Sequence, residues 1–223
     1  MNGGRLQGGA ARGSGCRAQG GGVLVDEGGL FVMNGGSIEN CYANGDGGGV
    51  YVNGTFRMTG GVISGCFSEG LYGSGYGGGI YVASNGTFEM TGGSIENCYT
   101  SRFGKGGGVY VGGTFTMTGG MIKNNAVNKA CVEDGAEGAG VYVANGANAT
   151  LIEANITDNK RTSFRAGRPV LNDSDAVTDN ISSADGVEWK EYTSSVDPDY
   201  PLISILPVLT KDLPFTDVKP TDW

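Results

Sequence analysis

The residues of this chain that could do chemistry are few and regularly spaced. Tyr51, Tyr81, Tyr110 and Tyr142 each occupy the middle of a Val/Ile-Tyr-Val triplet, at intervals of 30, 29 and 32 residues. A column of outward aromatic side chains offers stacking surface to sugar rings or to a partner protein while its hydroxyls stay in water. The same column could be purely structural, because aromatic neighbours on adjacent strands stabilise a sheet whatever else the protein does. Glu39 and Glu96 share a second slot, with Ser64 between them and Lys123 after them. Clustered carboxylates on one face, with Arg or Lys nearby, are what a polysaccharide lyase or glycosidase requires. The drift from Glu through Ser to Lys reads instead as a solvated edge. Cys41, Cys66 and Cys98 hold a third slot, which Asn125 and Asn159 take over farther along.

What is missing narrows the chemistry further. The chain has no histidine, which excludes a Ser or Cys nucleophile activated by an imidazole base. Its five cysteines form no Cys-x-x-Cys pair, so no zinc site is expected, and an odd number leaves no complete disulfide framework. Cys41, Cys66 and Cys98 are expected to be free buried thiols: neighbouring turns place them close enough to bond, but parallel Cβ vectors suit a disulfide poorly. Such thiols should fill the volume of a stacked Asn without satisfying the backbone groups that an amide would. Cys16 and Cys131 fall in segments of variable length. Glu133, Asp134 and Glu137 make a small acidic loop whose spacing matches no calcium loop. No metal or other cofactor is therefore expected. The formal net charge of -8 speaks against nucleic acid and anionic lipid as partners. No run approaches the roughly 18 apolar residues of a membrane span.

The elements that must position these residues are written in a repeat. Gly-Gly-Gly-Val-Tyr-Val or a close variant recurs from Gly20, Gly47, Gly77, Gly106 and Gly138. A second segment recurs as Thr55-Phe56-Arg57-Met58-Thr59-Gly60-Gly61, Thr87-Phe88-Glu89-Met90-Thr91-Gly92-Gly93 and Thr114-Phe115-Thr116-Met117-Thr118-Gly119-Gly120, with an earlier copy from Leu30 to Gly36. Phe and Met two apart, with mostly polar residues between, is the alternation of a strand with one buried face. A third apolar slot holds Ile38, Ile63, Ile95, Ile122 and Ile156. A period near thirty residues, with strand residues, turn glycines and no helical pattern, reads as a solenoid in which each repeat is one coil. Three strand runs per coil predict an all-β fold, a right-handed parallel β-helix with three sides and about five full coils.

Stacked coils turn each slot into a column. Phe31, Phe56, Phe88 and Phe115 should form one, and Met1, Met33, Met58, Met90, Met117 and Leu151 another. Val50/Val52, Ile80/Val82, Val109/Val111 and Val141/Val143 should line a further inner wall, which by parity turns Leu24 and the four tyrosines outward. In the fifth coil Ala149 falls in the Phe slot and Leu151 in the Met slot. Thr55, Thr59, Thr87, Thr91, Thr114 and Thr118 suggest a polar grid, even an ice-binding face, but Arg57 and Glu89 interrupt it as an expected cross-coil ion pair.

Met1 to Leu6 align with Met33 to Ile38, so the chain opens half-way round a coil and residue 1 is not expected to be a natural domain start. The β-helix repeats are read over 1–160. Beyond Lys160 glycine thins out, and 161–196 is read as a C-terminal cap with strand-like pieces at 168–171 and 187–192. Residues 197–213 read as a Pro-punctuated linker.

The repeat, as in Gly106-Gly107-Gly108-Val109-Tyr110-Val111 with Thr116-Met117-Thr118-Gly119-Gly120, resembles the right-handed parallel β-helix repeats of large surface proteins of gut Gram-positive bacteria. The segment 214–223, together with Leu213, resembles the opening of an S-layer homology module. Phe215, Asp217, Val218 and Trp223 match that module's Phe-x-Asp-Val pattern and following Trp. These resemblances imply an extracellular protein of the bacterial cell surface, attached to cell-wall polysaccharide only through module helices that this chain lacks. The expected function is that of an adhesin, a glycan- or protein-binding surface or a spacer. Its ligand-binding residues would be Tyr51, Tyr81, Tyr110 and Tyr142, its partners a glycan or a host or bacterial surface protein, and it would catalyse nothing. A carbohydrate-active enzyme of the same fold and a purely structural solenoid are the alternatives.

Overall fold

A computed structural model of the chain describes residues 1–13, 18–70, 74–128, 136–152, 154–162, 164–165, 168–169, 176–184 and 190–192. The expectations for Cys16, Cys131, Glu133, Asp134, the linker 197–213 and the module-like segment 214–223 concern residues outside this set. Each period folds into three strand segments, and each segment pairs in parallel with its counterpart one period later. Among the described residues there is no helix. The protein is an all-β, three-sided parallel β-helix, as the repeat predicts.

The first sheet is built from the Thr-Phe-x-Met and following Ile segments. Its strands are Asn2–Gln7, Leu30–Met33 with Gly35–Glu39, Thr55–Met58 with Val62–Ser64, Thr87–Glu96, Thr114–Lys123, Asn148–Ile152 with Asn155–Thr157, and Lys190–Tyr192. The second runs through Ala10–Ala11, Tyr42–Ala43, Phe67–Ser68, Tyr99–Thr100, Ala126–Asn128 and Lys160–Thr162. The third consists of Val23–Val25, Val50–Val52, Ile80–Val82, Val109–Val111, Val141–Val143 and Ile181–Ser183.

Register places like against like. Phe56, Phe88 and Phe115 are direct partners, as are Met58, Met90 and Met117, and Ile63, Ile95 and Ile122. All of these are fully buried. The phenyl rings stack with centroids 5.0 Å apart and planes within 12° from Phe56 to Phe88, and 5.0 Å and 5° from Phe88 to Phe115. Phe31 continues the stack at 5.3 Å but is only half-buried, being in an early coil. Burying one such side chain contributes roughly 1.5 to 3 kcal/mol. Outward positions are mostly polar, with Leu30 and Ile152 as exposed apolar exceptions, and Arg57 donates from Nε to Glu89 Oε2 at 2.7 Å across one coil step. Both side chains are about half exposed, so this pair contributes at most about 1 kcal/mol.

The recurrence of Met followed by Gly-Gly is one packing device. The ladder shifts register between Met90 and Ser94, and there Gly93 takes φ +85°, a left-handed conformation that costs glycine little. A Cβ at Gly93 would lie 2.6 Å from Met58 Cε of the preceding coil, and the same distance recurs for Gly61 with Met33 and Gly120 with Met90. Each methionine thus ends against the second glycine of the next coil.

The fifth coil keeps the slots with smaller residues, Ala149 and Leu151, both buried. Written repetition ends at Lys160, but stacking does not. Ile181–Ser183 adds in parallel to Val141–Val143, and Lys190–Tyr192 adds in parallel to Asn148–Ile152. The second sheet instead receives Val177–Thr178 antiparallel against Lys160–Thr162, which ends its parallel stacking. Phe164–Arg165 and Arg168–Pro169 form an antiparallel hairpin between these pieces. Of the strand-like segments expected after 160, only Arg168–Pro169 and Lys190–Tyr192 fall among the described residues.

Truncating the middle of the phenyl stack, Phe88→Ala, should cost roughly 3 to 5 kcal/mol in chemical denaturation, as for a large core side chain. The exposed Thr91→Ala on the outer face of the same strand should change stability by less than about 0.5 kcal/mol. Equal effects for the two variants would contradict the inward and outward assignment.

Candidate functional site

The tyrosine column exists as a stack, and that geometry changes what it can do. Tyr51, Tyr81, Tyr110 and Tyr142 are in register, with centroids 5.1, 4.9 and 5.5 Å apart and planes within 22°. At such spacing no sugar ring fits between neighbours, so the column presents ring edges and hydroxyls rather than faces. Tyr51, Tyr81 and Tyr110 are half-buried, and Leu24 below them is exposed, in keeping with the parity expected. Tyr142 departs from it at only 5% exposure. Its hydroxyl accepts from Lys105 Nζ at 2.9 Å, and that ammonium lies 4.4 Å from the ring centroid. Tyr76, from the connection before the third sheet, adds a further stack on Tyr110 at 4.9 Å.

The carboxylates of the first sheet do not converge. Register confirms the shared slot of Glu39, Ser64, Glu96 and Lys123. Glu39 accepts from Arg5 Nε at 2.8 Å, on the coil before it, whereas Glu96 lies 3.5 Å from Lys123 Nζ, on the coil after it. The two ion pairs draw the acids in opposite directions along the axis. Glu39 is held below the ordinary carboxylate range by hydrogen bonds from Ser37 and Arg5. Glu137 lies 4.0 Å from Lys105. Among the described residues no three His, Cys, Asp or Glu side chains form a metal-binding group.

The cysteine slot lies at the turn from the first to the second sheet. Asn40, Gly65, Asn97, Asn124 and Asp158 precede the slot residues with φ of 52, 62, 55, 54 and 57°, the left-handed region that Gly, Asn and Asp tolerate. Cys41, Cys66 and Cys98 are buried and free. Asn125 Nδ2 donates to Ile95 O at 3.1 Å and Asn159 Nδ2 to Ile122 O at 2.9 Å. The thiols reach for equivalent acceptors, Cys66 Sγ to Ile38 O and Cys98 Sγ to Ile63 O, each at 3.8 Å. This corrects the expectation that they only fill space: the sulfur keeps the donor role weakly. The acceptor role is what changes. Asn125 Oδ1 takes the Cys98 N–H at 2.9 Å and Asn159 Oδ1 takes the Asn125 N–H at 3.0 Å, an oxygen that a cysteine does not supply. Asn180 extends the ladder, accepting the Asn159 N–H at 3.2 Å, although it lies beyond the written repeat. The Cys41 thiol is pushed up by its hydrogen bond with Cys66 and by burial. At Cys66 the contact with Cys41 acts downward, but the Cys98 hydrogen bond and burial outweigh it and hold the thiol well above its ordinary value.

Directly after this slot comes a second aromatic column that sequence reasoning missed. Tyr42 and Phe67 stand 5.7 Å apart, and Phe67 and Tyr99 stack at 4.7 Å with planes 21° apart. The signal was present, since each aromatic immediately follows a ladder cysteine. The column ends at Ala126, where Phe164 of the hairpin turns its ring edge to Tyr99 at 6.0 Å. At the other end the Arg12 guanidinium lies 5.3 Å from the Tyr42 ring. Between these aromatics and the left-handed turn residues runs a groove of about 540 Å³, with Asn97, Asn124 and Asp158 along one side and Lys160 at its far end. The Tyr42 hydroxyl donates to Glu69, and burial followed by that carboxylate pushes its pKa up to about 12.

Comparison with known proteins finds no family model, no curated protein and no solved structure that matches this chain.

Peptide mapping after thiol labelling should find Cys41, Cys66 and Cys98 far slower to react in the native protein than in denaturant, because burial keeps the reagent from all three sulfurs. Equal rates would remove them from the interior. Tyr42 gives a pH test. Its folded pKa of about 12 lies above the usual 10, so its contribution is complete below about pH 10 and is lost as pH rises toward 12. The urea midpoint of the unaltered protein should therefore fall more steeply over that window than that of Tyr42→Phe, and parallel curves would contradict the assignment.

Proposed function

We propose that this chain is a non-catalytic binding solenoid of the bacterial cell surface, which holds an extended ligand in the groove of its second sheet. The groove itself carries the reading. It is concave, runs across several coils, and combines aromatic edges with exposed Asn side chains, the mixture of apolar body and a few polar groups that binding sites use. The tyrosine column of the third sheet offers a flatter surface, so the groove takes precedence over Tyr51, Tyr81, Tyr110 and Tyr142 as the binding site. The ion pairs that separate Glu39 from Glu96, together with the lack of histidine, support binding without turnover. Placement at the cell surface rests on the resemblance of the closing residues to an S-layer homology module. A spacer with no ligand is the second reading, favoured by the uniform ladders of the core.

Panels of immobilised polysaccharides and of peptides separate these readings. The unaltered protein should bind at least one polymer, and Tyr42→Ser/Tyr99→Ser should weaken that binding by at least about tenfold while Tyr51→Ser/Tyr81→Ser leaves it intact, with circular dichroism confirming both folds. Binding lost only in the second variant would move the site to the third sheet. Silence across both panels would favour the spacer, and release of reducing ends from any polysaccharide would overturn the non-catalytic reading.

A further inference from the structure

Resting on the groove reading above, we infer that the ligand of the second-sheet groove is an uncharged linear glycan laid along the solenoid axis. Direction follows from the lining. Asn40, Gly65, Asn97, Asn124 and Asp158 recur at one turn per coil, four of the five with a polar side chain, and Tyr42, Phe67 and Tyr99 recur one strand position beyond the buried slot, so both walls run across the strands. Four coil steps separate Asn40 from Asp158, or about 19 Å at roughly 4.8 Å per step. That length suits a chain of several sugars rather than a single ring.

Chemistry selects the class. Asn97 and Asn124 are exposed amides, each with a donor and an acceptor, and hydroxyl groups need both. Phe67 and Tyr99 stack on each other and so close their facing surfaces to a ligand, which leaves ring edges, and the edge is the electropositive part of an aromatic, suited to hydroxyl oxygens. Between its ends the groove is lined by no charged residue among those described, the nearby Glu69 carboxylate being taken up by the Tyr42 hydroxyl: Arg12 and Lys160 stand at the ends, and Asp158 lies beside Lys160. A polyanion would find no basic row, and a cationic peptide no acidic one. An extended peptide would instead seek a sheet edge with free backbone groups. Along the groove the Tyr42–Ala43, Phe67–Ser68 and Tyr99–Thr100 strands are each already paired on both sides. Left-handed φ at the amide positions explains how one residue type recurs on one wall: the turn admits Gly, Asn and Asp, and of these Asn alone is polar and neutral.

The test is isothermal titration of the full chain with cellohexaose, xylohexaose and chitohexaose, with hexagalacturonate as the charged counterpart, at 50 and 500 mM NaCl. The altered protein is Asn97→Gly/Asn124→Gly, which removes both amides and keeps the backbone conformation accessible. We expect at least one neutral hexasaccharide to bind, with less than about twofold change between the salts and at least about tenfold weakening in the double variant. Exclusive binding of hexagalacturonate, or a steep loss of affinity with salt, would overturn the uncharged class. Failure of every saccharide, while a peptide binds and Tyr42→Ser/Tyr99→Ser abolishes it, would overturn the glycan and leave the groove. Saccharide binding untouched by both variants would overturn the groove itself.

Discussion

The repeating part of this fold depends on one constraint, the parallel pairing of each strand with its own counterpart one coil later. Pairing at roughly 4.8 Å brings identical slots into contact, so a residue type that packs well against itself is reinforced at every step. Phenyl rings satisfy this by stacking, methionines by ending against the glycine of the next coil, and asparagines by passing hydrogen bonds along the turn. Each interaction is modest, and repetition makes the core. Contacts reach only to neighbouring coils, so stability accumulates as a sum over steps.

The same constraint governs where binding can occur. Aromatics on a flat face of the solenoid stack on one another and close their faces, as the tyrosines of the third sheet do. A hollow is left where the cross-section turns from one sheet to the next. The corner between the first and second sheets leaves such a hollow, lined by the exposed left-handed Asn and Asp residues on one side and by the aromatic column on the other. Ladder breaks then shape the ends: Ala126 makes room for Phe164, and Arg12 covers the outer face of Tyr42.

The slots with strict alternation were legible in the sequence. Phe, Met, Val and Ile columns, the Arg57–Glu89 pair and the shared cysteine and asparagine turn all follow from spacing alone, and the structure has each of them. The groove was not read because its strands are short. Tyr42–Ala43, Phe67–Ser68 and Tyr99–Thr100 have two residues each, too few for a period to show, and loops of different length follow them. Tyr142 escaped the parity rule because Lys105, a loop residue from the preceding coil, folds over it. Asn180 and the strand at 181–183 were hidden by loss of the written motif, whereas Lys190–Tyr192 falls inside the strand-like piece read at 187–192; backbone pairing needs no motif to continue.

A double-mutant cycle on the phenyl column tests the stacking most directly. Phe56 and Phe88 are adjacent rungs, whereas Phe56 and Phe115 are two coil steps apart. With each residue replaced by Leu and unfolding followed in urea, the adjacent pair should show a coupling of about 0.5 to 1.5 kcal/mol. The separated pair should be additive within about 0.5 kcal/mol. Coupling of equal size in both pairs, or in neither, would contradict a solenoid held together by contacts between successive coils.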